Sequence, residues 1–100
     1  MLVHTVLFYL KEDLTPAQRQ HFAAGVESLK GIKSAHAVYV GAPAKATASR
    51  PVVESNYDAA LTVLFQDMAT HDAYQVDPLH KTFLAQCGPL WRQVRVFDAM

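Results

Sequence analysis

Leu2-Val3-His4-Thr5-Val6-Leu7-Phe8-Tyr9-Leu10 is dense in aliphatic, aromatic and β-branched residues, a composition that suits a pleated, half-buried strand. Successive side chains of a strand point to opposite faces. Leu2, Val6 and Phe8 therefore share one face with His4, and Val3, Leu7 and Tyr9 share the other. A sheet with helices on one side and water on the other should alternate between apolar and polar. This strand is apolar on both sides. Tyr57 to Phe65 repeats the pattern, with Tyr57, Leu61, Val63 and Phe65 opposing Ala60, Thr62 and Leu64. The opening stretch lacks a basic leader and a small-residue cleavage site, so it reads as a first strand and not as a targeting segment.

Working outward, Thr15-Pro16-Ala17-Gln18 combines an N-cap residue, a proline suited to the first helical position and a capping-box glutamine, which predicts a helix over about 16–30. Phe22, Val26 and Leu29 give it one apolar stripe, and Gly31 is its expected stop. His36 to Val40 is a second β-prone run, closed by Gly41, and Pro43 to Asn56 has no sustained period and reads as a long exposed connection. After the strand at 57–65, Asp67 is placed to cap a short helix from Met68 to about Val76. Asp77-Pro78 breaks that helix and starts another, Pro78 to about Gln86, ended near Gly88-Pro89. Trp91 to Asp98 returns as the last strand. The order βαββαβ predicts an α+β, ferredoxin-like protomer: a four-stranded antiparallel sheet with helices on one face.

One hundred residues suffice for one core, so a single domain over 1–100 is expected. With 51% hydrophobic and 18% charged residues, the chain can offset its ordering entropy. Nine basic residues balance nine acidic ones without a cluster, so the driving force of a nucleic-acid or anionic-membrane binder is missing. The longest uncharged stretch, Ser34 to Ala44, has eleven residues, too few for a membrane span of ~20. A lone cysteine, Cys87, forms no internal disulfide; core packing and a reducing, cytoplasmic location are the expectations.

The second apolar face needs a cover. These elements cannot supply another helical layer, so the expected partner is a second copy, joined as a homodimer through the sheet face.

No Gly-rich phosphate loop, CxxC pair or HExxH motif is present, which leaves histidines, tyrosines and a few carboxylates to carry any chemistry. His21 and His36 have ordinary polar neighbours and read as surface or packing residues. His80 is followed by Phe83, Leu84 and Cys87 at helical spacing, which aims its ring inward. Its place in the first turn after Pro78 puts it near the positive end of the helix dipole, favouring a neutral imidazole. A neutral buried histidine also serves plain packing, and spacing alone favours that role. Tyr74 stands six residues upstream, and the Asp77-Pro78 break lets both side chains turn toward one cavity. His4 lies on the inward face of the first strand and needs a hydrogen-bond partner, whether Tyr74, His80 or a ligand. His71, between Thr70 and Asp72, reads as exposed. No third ligand joins His4 and His80 at metal-binding spacing, so no metal is expected.

Four segments resemble the stress-responsive A/B barrel (Dabb) family: His4-Thr5-Val6-Leu7-Phe8, Tyr57-Asp58-Ala59-Ala60-Leu61, Tyr74 through His80, and Val94-Arg95-Val96-Phe97-Asp98. The resemblance implies a dimeric α+β barrel of ferredoxin-like protomers. It also implies, from the family's plant polyketide-cyclase branch, that His80 and Tyr74 form an acid/base pair with His4 bordering their pocket. Asp77 departs from the family's usual His-Pro-x-His, which has a histidine at that position.

Two functions follow as expectations. In the first, a cofactor-independent pocket acts on a small apolar carbonyl compound: His80 takes a proton, Tyr74 donates to the enolate oxygen and His4 orients them, with His80, Tyr74 and His4 as catalytic residues. Cyclase, isomerase or lyase chemistry would fit. In the second, a noncatalytic dimeric module binds a ligand or supports a stress response, and the same polar residues satisfy one another. Oxidative chemistry of the related barrel monooxygenases finds no haem or flavin ligand set here.

Overall fold

A computed structural model describes all 100 residues. The strands are β1 (Leu2–Leu10), β2 (Ala37–Gly41), β3 (Ala59–Phe65) and β4 (Trp91–Ala99). The helices are α1 (Pro16–Ser28), α2 (Met68–Val76) and α3 (Pro78–Cys87), with three short 3₁₀ turns beside them. The strands form one antiparallel sheet in the order β2-β3-β1-β4, the ferredoxin-like arrangement expected from the element order. No helix is long and apolar enough to cross a membrane.

The caps form as the sequence dictates. Thr15 Oγ1 accepts from the Gln18 N–H at 3.1 Å, and Gln18 Oε1 accepts from the Thr15 N–H at 2.8 Å. Asp67 Oδ1 caps α2 by accepting from the Thr70 N–H at 2.9 Å. Asp77 does the same for α3, accepting from the Leu79 N–H at 2.8 Å. The aspartate at this position is therefore structural, since it caps the helix that carries His80.

Four elements differ in their bounds from expectation. α1 tightens into a 3₁₀ turn over Leu29–Gly31, and no glycine has positive φ, so Gly31 ends the helix without a left-handed cap. β2 runs one residue later, from Ala37 to Gly41. β3 starts at Ala59 and not at Tyr57, because Asp58 turns its carboxylate to the Leu10 N–H at 2.7 Å while its own N–H donates to the Phe8 carbonyl at 2.8 Å. β4 extends to Ala99.

All three helices lie on one face. Leu2, Val6, Phe8, Phe22, Val26, Phe65, Tyr74, Phe83 and Cys87 form one continuous core between them and the sheet. The molecule is only 18 Å thick along its shortest axis, the depth of one helix layer on one sheet. α1 and α3 meet at Gly25, where a Cβ would lie 2.5 Å from Cys87 Sγ; the cysteine is core packing. The opposite sheet face has no cover. It presents Tyr39, 62% exposed, and Phe97, 49% exposed, around the half-buried Leu7 and Leu64.

Candidate active site

The polar residues of the site come from four elements around the Asp77-Pro78 break. The inward stripe expected on α3 is narrower than the spacing suggested: Phe83 and Cys87 are buried, His80 is half-buried, and Leu84 is 45% exposed. The break separates α3 from α2, and the His80 ring lies tilted at 55° against Tyr74 with centroids 4.9 Å apart. Tyr74 is wedged on its other side by Phe65 at 5.1 Å and is 1% exposed. His4, buried on β1, faces Tyr74 at a centroid distance of 6.4 Å. The three residues singled out from the sequence thus converge.

They do not bond to one another. The Tyr74 hydroxyl is buried and has no hydrogen-bond partner, and His80 Nδ1, also buried, makes no well-aligned hydrogen bond although the Gln75 backbone carbonyl acts on its ring. His4 instead finds a partner that the sequence did not reveal. Its Nδ1–H donates to Asp98 Oδ1 on β4 at 2.5 Å, across a register that sets His4 beside Asp98. A carboxylate on Nδ1 fixes the tautomer and leaves Nε2 as the basic nitrogen.

His71 corrects the expectation of exposure. Its side chain is 16% exposed, and its ring lies 5.6 Å from that of His4 and 5.3 Å from that of Phe65. Spacing did carry the signal, since three residues upstream of Tyr74 is the same helical stripe. Its nitrogens are occupied locally: Nδ1–H donates to Asp72 at 3.1 Å, and Nε2 accepts from the Gln75 amide at 3.3 Å. For Asp98, parity was the only hint, because it alternates with Val94 and Val96.

Burial sets the protonation states. It pushes the Tyr74 phenol up from 10.0 to about 12, so the hydroxyl stays a donor. It also lowers the His80 pKa, with the positive forms of His4 and His71 adding to the effect and the Gln75 carbonyl and Asp77 opposing it. The ring is therefore neutral near pH 7 and able to accept a proton.

Behind these groups lies a cavity of about 210 Å³, lined by His4, Tyr74 and His80, by the rings of Phe8, Phe83 and Trp91, and by aliphatic side chains. A larger hollow of about 330 Å³ lies elsewhere, under α1, among Phe22, Val26, Val40, Arg19 and Asp58. Size favours the second and chemistry the first, since no histidine or tyrosine lines the larger one. No group of three or more His, Cys, Asp or Glu is arranged to hold a metal ion.

The family described as "Stress responsive A/B Barrel Domain" matches residues 2–100 of the chain. Among solved structures, a Dabb family protein with a ferredoxin-like fold from Mesorhizobium loti superposes with a TM-score of 0.76 at 20% identity, covering 99% of this chain and 94% of the other. A dimeric ferredoxin-like protein of unknown function from Thermobifida fusca gives 0.76 at 22% identity, with 98% and 88% covered. The hydroxynitrile lyase of Passiflora edulis gives 0.77 at 18% identity, with 98% and 90% covered. No curated protein matches the sequence. At these identities the likeness to solved structures speaks for the fold.

Proposed function

This chain belongs to the stress responsive A/B barrel domain family, and we propose that two copies, joined through their open sheet faces, use the cavity beside Tyr74 and His80 for acid–base chemistry on a small, largely apolar carbonyl compound. The neutral imidazole of His80 takes the proton alpha to the carbonyl. The C–H electron pair moves toward the carbonyl oxygen, and the Tyr74 hydroxyl donates a hydrogen bond to that oxygen as charge develops. His4, held by Asp98, orients the pair or the substrate. The enolate then takes the proton back from His80 at another carbon (isomerisation), attacks a second carbonyl of the same molecule whose oxygen takes that proton (cyclisation), or expels a β-substituent that leaves with it (lyase chemistry). A hydroxynitrile lyase is among the proteins of this fold, which supports an enzymatic reading.

The observation that carries this reading is the buried Tyr74 hydroxyl, which has no hydrogen-bond partner and belongs to a residue that lines one cavity with His80. Each unsatisfied group costs about 1–3 kcal/mol, and such costs cluster at sites where a ligand completes the bonding. A purely structural polar network would have Tyr74, His80 and His4 bonded to one another. The dimer is supported by the uncovered apolar face with Tyr39 and Phe97 and by the description of the Thermobifida fusca protein as dimeric.

Exchange of α-protons for deuterium, followed by NMR on a panel of small ketones, tests the reading. His80→Ala should slow exchange by roughly 10²–10⁴-fold. The acid limb of the rate should fall below the ordinary histidine value of 6.5, because His80 is depressed from it. Exchange unchanged in His80→Ala sinks the assignment, and binding without exchange would mark the protein as a noncatalytic ligand-binding module.

A further inference from the structure

The wall of the 210 Å³ cavity is mixed in chemistry. His4, Tyr74 and His80 supply polar groups, Phe8, Phe83 and Trp91 supply aromatic rings, and six aliphatic side chains with Gln75 complete the lining. The three aromatic rings are mutually close: Trp91 lies 5.2 Å from Phe8 and 5.7 Å from Phe83, and Phe8 lies 5.7 Å from Phe83. No lysine, arginine, aspartate or glutamate lines the cavity, and the neighbouring Asp98 carboxylate is held by His4.

We infer that the substrate is an uncharged aryl carbonyl compound, with its ring against Trp91 and its carbonyl toward Tyr74 and His80, and that Trp91 determines this specificity. The inference rests on the acid–base reading for the orientation of the carbonyl. Charge excludes the alternatives on each side. An ammonium group drawn into this cavity would lose its hydration with no carboxylate in the lining to meet it, and a carboxylate would meet only imidazole rings, of which burial keeps that of His80 neutral. Aromatic packing then separates aryl from alicyclic compounds of the same size. Offset or edge-to-face contacts with tryptophan and phenylalanine rings add about 0.5–1.5 kcal/mol beyond area burial, equivalent to roughly two- to tenfold in affinity. Trp91 is suited to this selection because it is half-buried. The 3₁₀ turn Gly88–Leu90 delivers it at the first position of β4, beside the cavity and at the other end of that strand from Asp98.

Phenylacetone, cyclohexylacetone and phenylpyruvate form the test set: a neutral aryl ketone, its alicyclic counterpart and an anionic aryl ketone. Calorimetric titration of the intact protein should show phenylacetone binding at least twofold more tightly than cyclohexylacetone, and phenylpyruvate at least tenfold more weakly than phenylacetone. Trp91→Leu should weaken phenylacetone more than cyclohexylacetone and so erase the aryl preference, and Trp91→Phe should retain most of it. Equal affinities for the two neutral ketones in the unaltered protein, or preferred binding of phenylpyruvate, overturns the inference even if both variants misfold. α-Proton exchange on the same ketones keeps the two proposals apart. Exchange without aryl preference removes the specificity and leaves the acid–base reading, whereas selective aryl binding without exchange does the reverse.

Discussion

Tyr74→Phe removes one oxygen from the most enclosed polar residue of the site and leaves its ring between Phe65 and His80. Tyr74 is 1% exposed, and its hydroxyl has no partner. Deleting the oxygen recovers the desolvation cost of an unsatisfied buried group, about 1–3 kcal/mol. For a domain of this length, each 1 kcal/mol raises Tm by about 4–8 °C. The variant should therefore be more stable and less active, the trade expected where a site stores an unfavourable group for use on a ligand. Alkali adds an independent signature. The folded protein keeps the phenol proton up to about pH 12, while the unfolded chain releases it near 10.0. Between those values the native state binds more protons than the unfolded state, so stability falls as pH rises, by about 3 kcal/mol over the interval. Tyr74→Phe should lack that loss. Urea unfolding followed by far-UV circular dichroism near neutrality and at pH 11, where about half of that loss is expressed, reads both effects, at matched protomer concentration because dimerisation contributes. A variant less stable than the parent by more than about 1 kcal/mol at neutral pH would mean that the hydroxyl holds the structure together, and undiminished α-proton exchange would remove it from the chemistry.

Three further perturbations probe other parts of the molecule. Gly25→Ala places a Cβ 2.5 Å from Cys87 Sγ; overpacking of about 1–3 kcal/mol should outweigh a helix-propensity gain of about 1 kcal/mol, and Cys87→Ala should relieve it in a double-mutant cycle of chemical denaturation curves, where strict additivity would refute the contact. Asp98→Asn takes away the carboxylate that fixes the His4 tautomer and should lower turnover by about 10–100-fold, while stability changes by less than about 1 kcal/mol because Asp98 is half-exposed; nitrogen chemical shifts of the His4 ring report the tautomer directly, and an unchanged rate would reduce Asp98 to a surface residue. Leu64→Glu puts a charge in the middle of the uncovered sheet face of each copy, and sedimentation equilibrium at micromolar concentration should shift from twice the protomer mass to the protomer mass; a dimer that survives must be joined elsewhere.

Much of this molecule could be read from neighbours in the chain. Thr15-Pro16-Ala17-Gln18 started α1 where it does because capping is a matter of three or four residues. Asp77-Pro78 divided α2 from α3 because proline constrains the residue before it and suits a helix start. The apolar alternation of Leu2 to Leu10 announced a sheet with two greasy faces, one of which remains uncovered. The meeting of Tyr74 and His80 was also legible, since six residues and one break separate them.

Tertiary structure alone decided the rest. His4 and Asp98 are 94 residues apart, and which residue of β4 stands beside His4 depends on a register set by the whole β1–β4 pairing and not by either strand alone. Leu84 stayed at the surface and His71 turned inward, although flanking residues suggested the reverse, because the packing of α3 on α2 and of Phe65 fixes which stripe is covered. Local sequence chooses elements through short-range sterics and hydrogen bonds. The partners of a buried ring are chosen by how those elements pack, and that is a property of the whole chain.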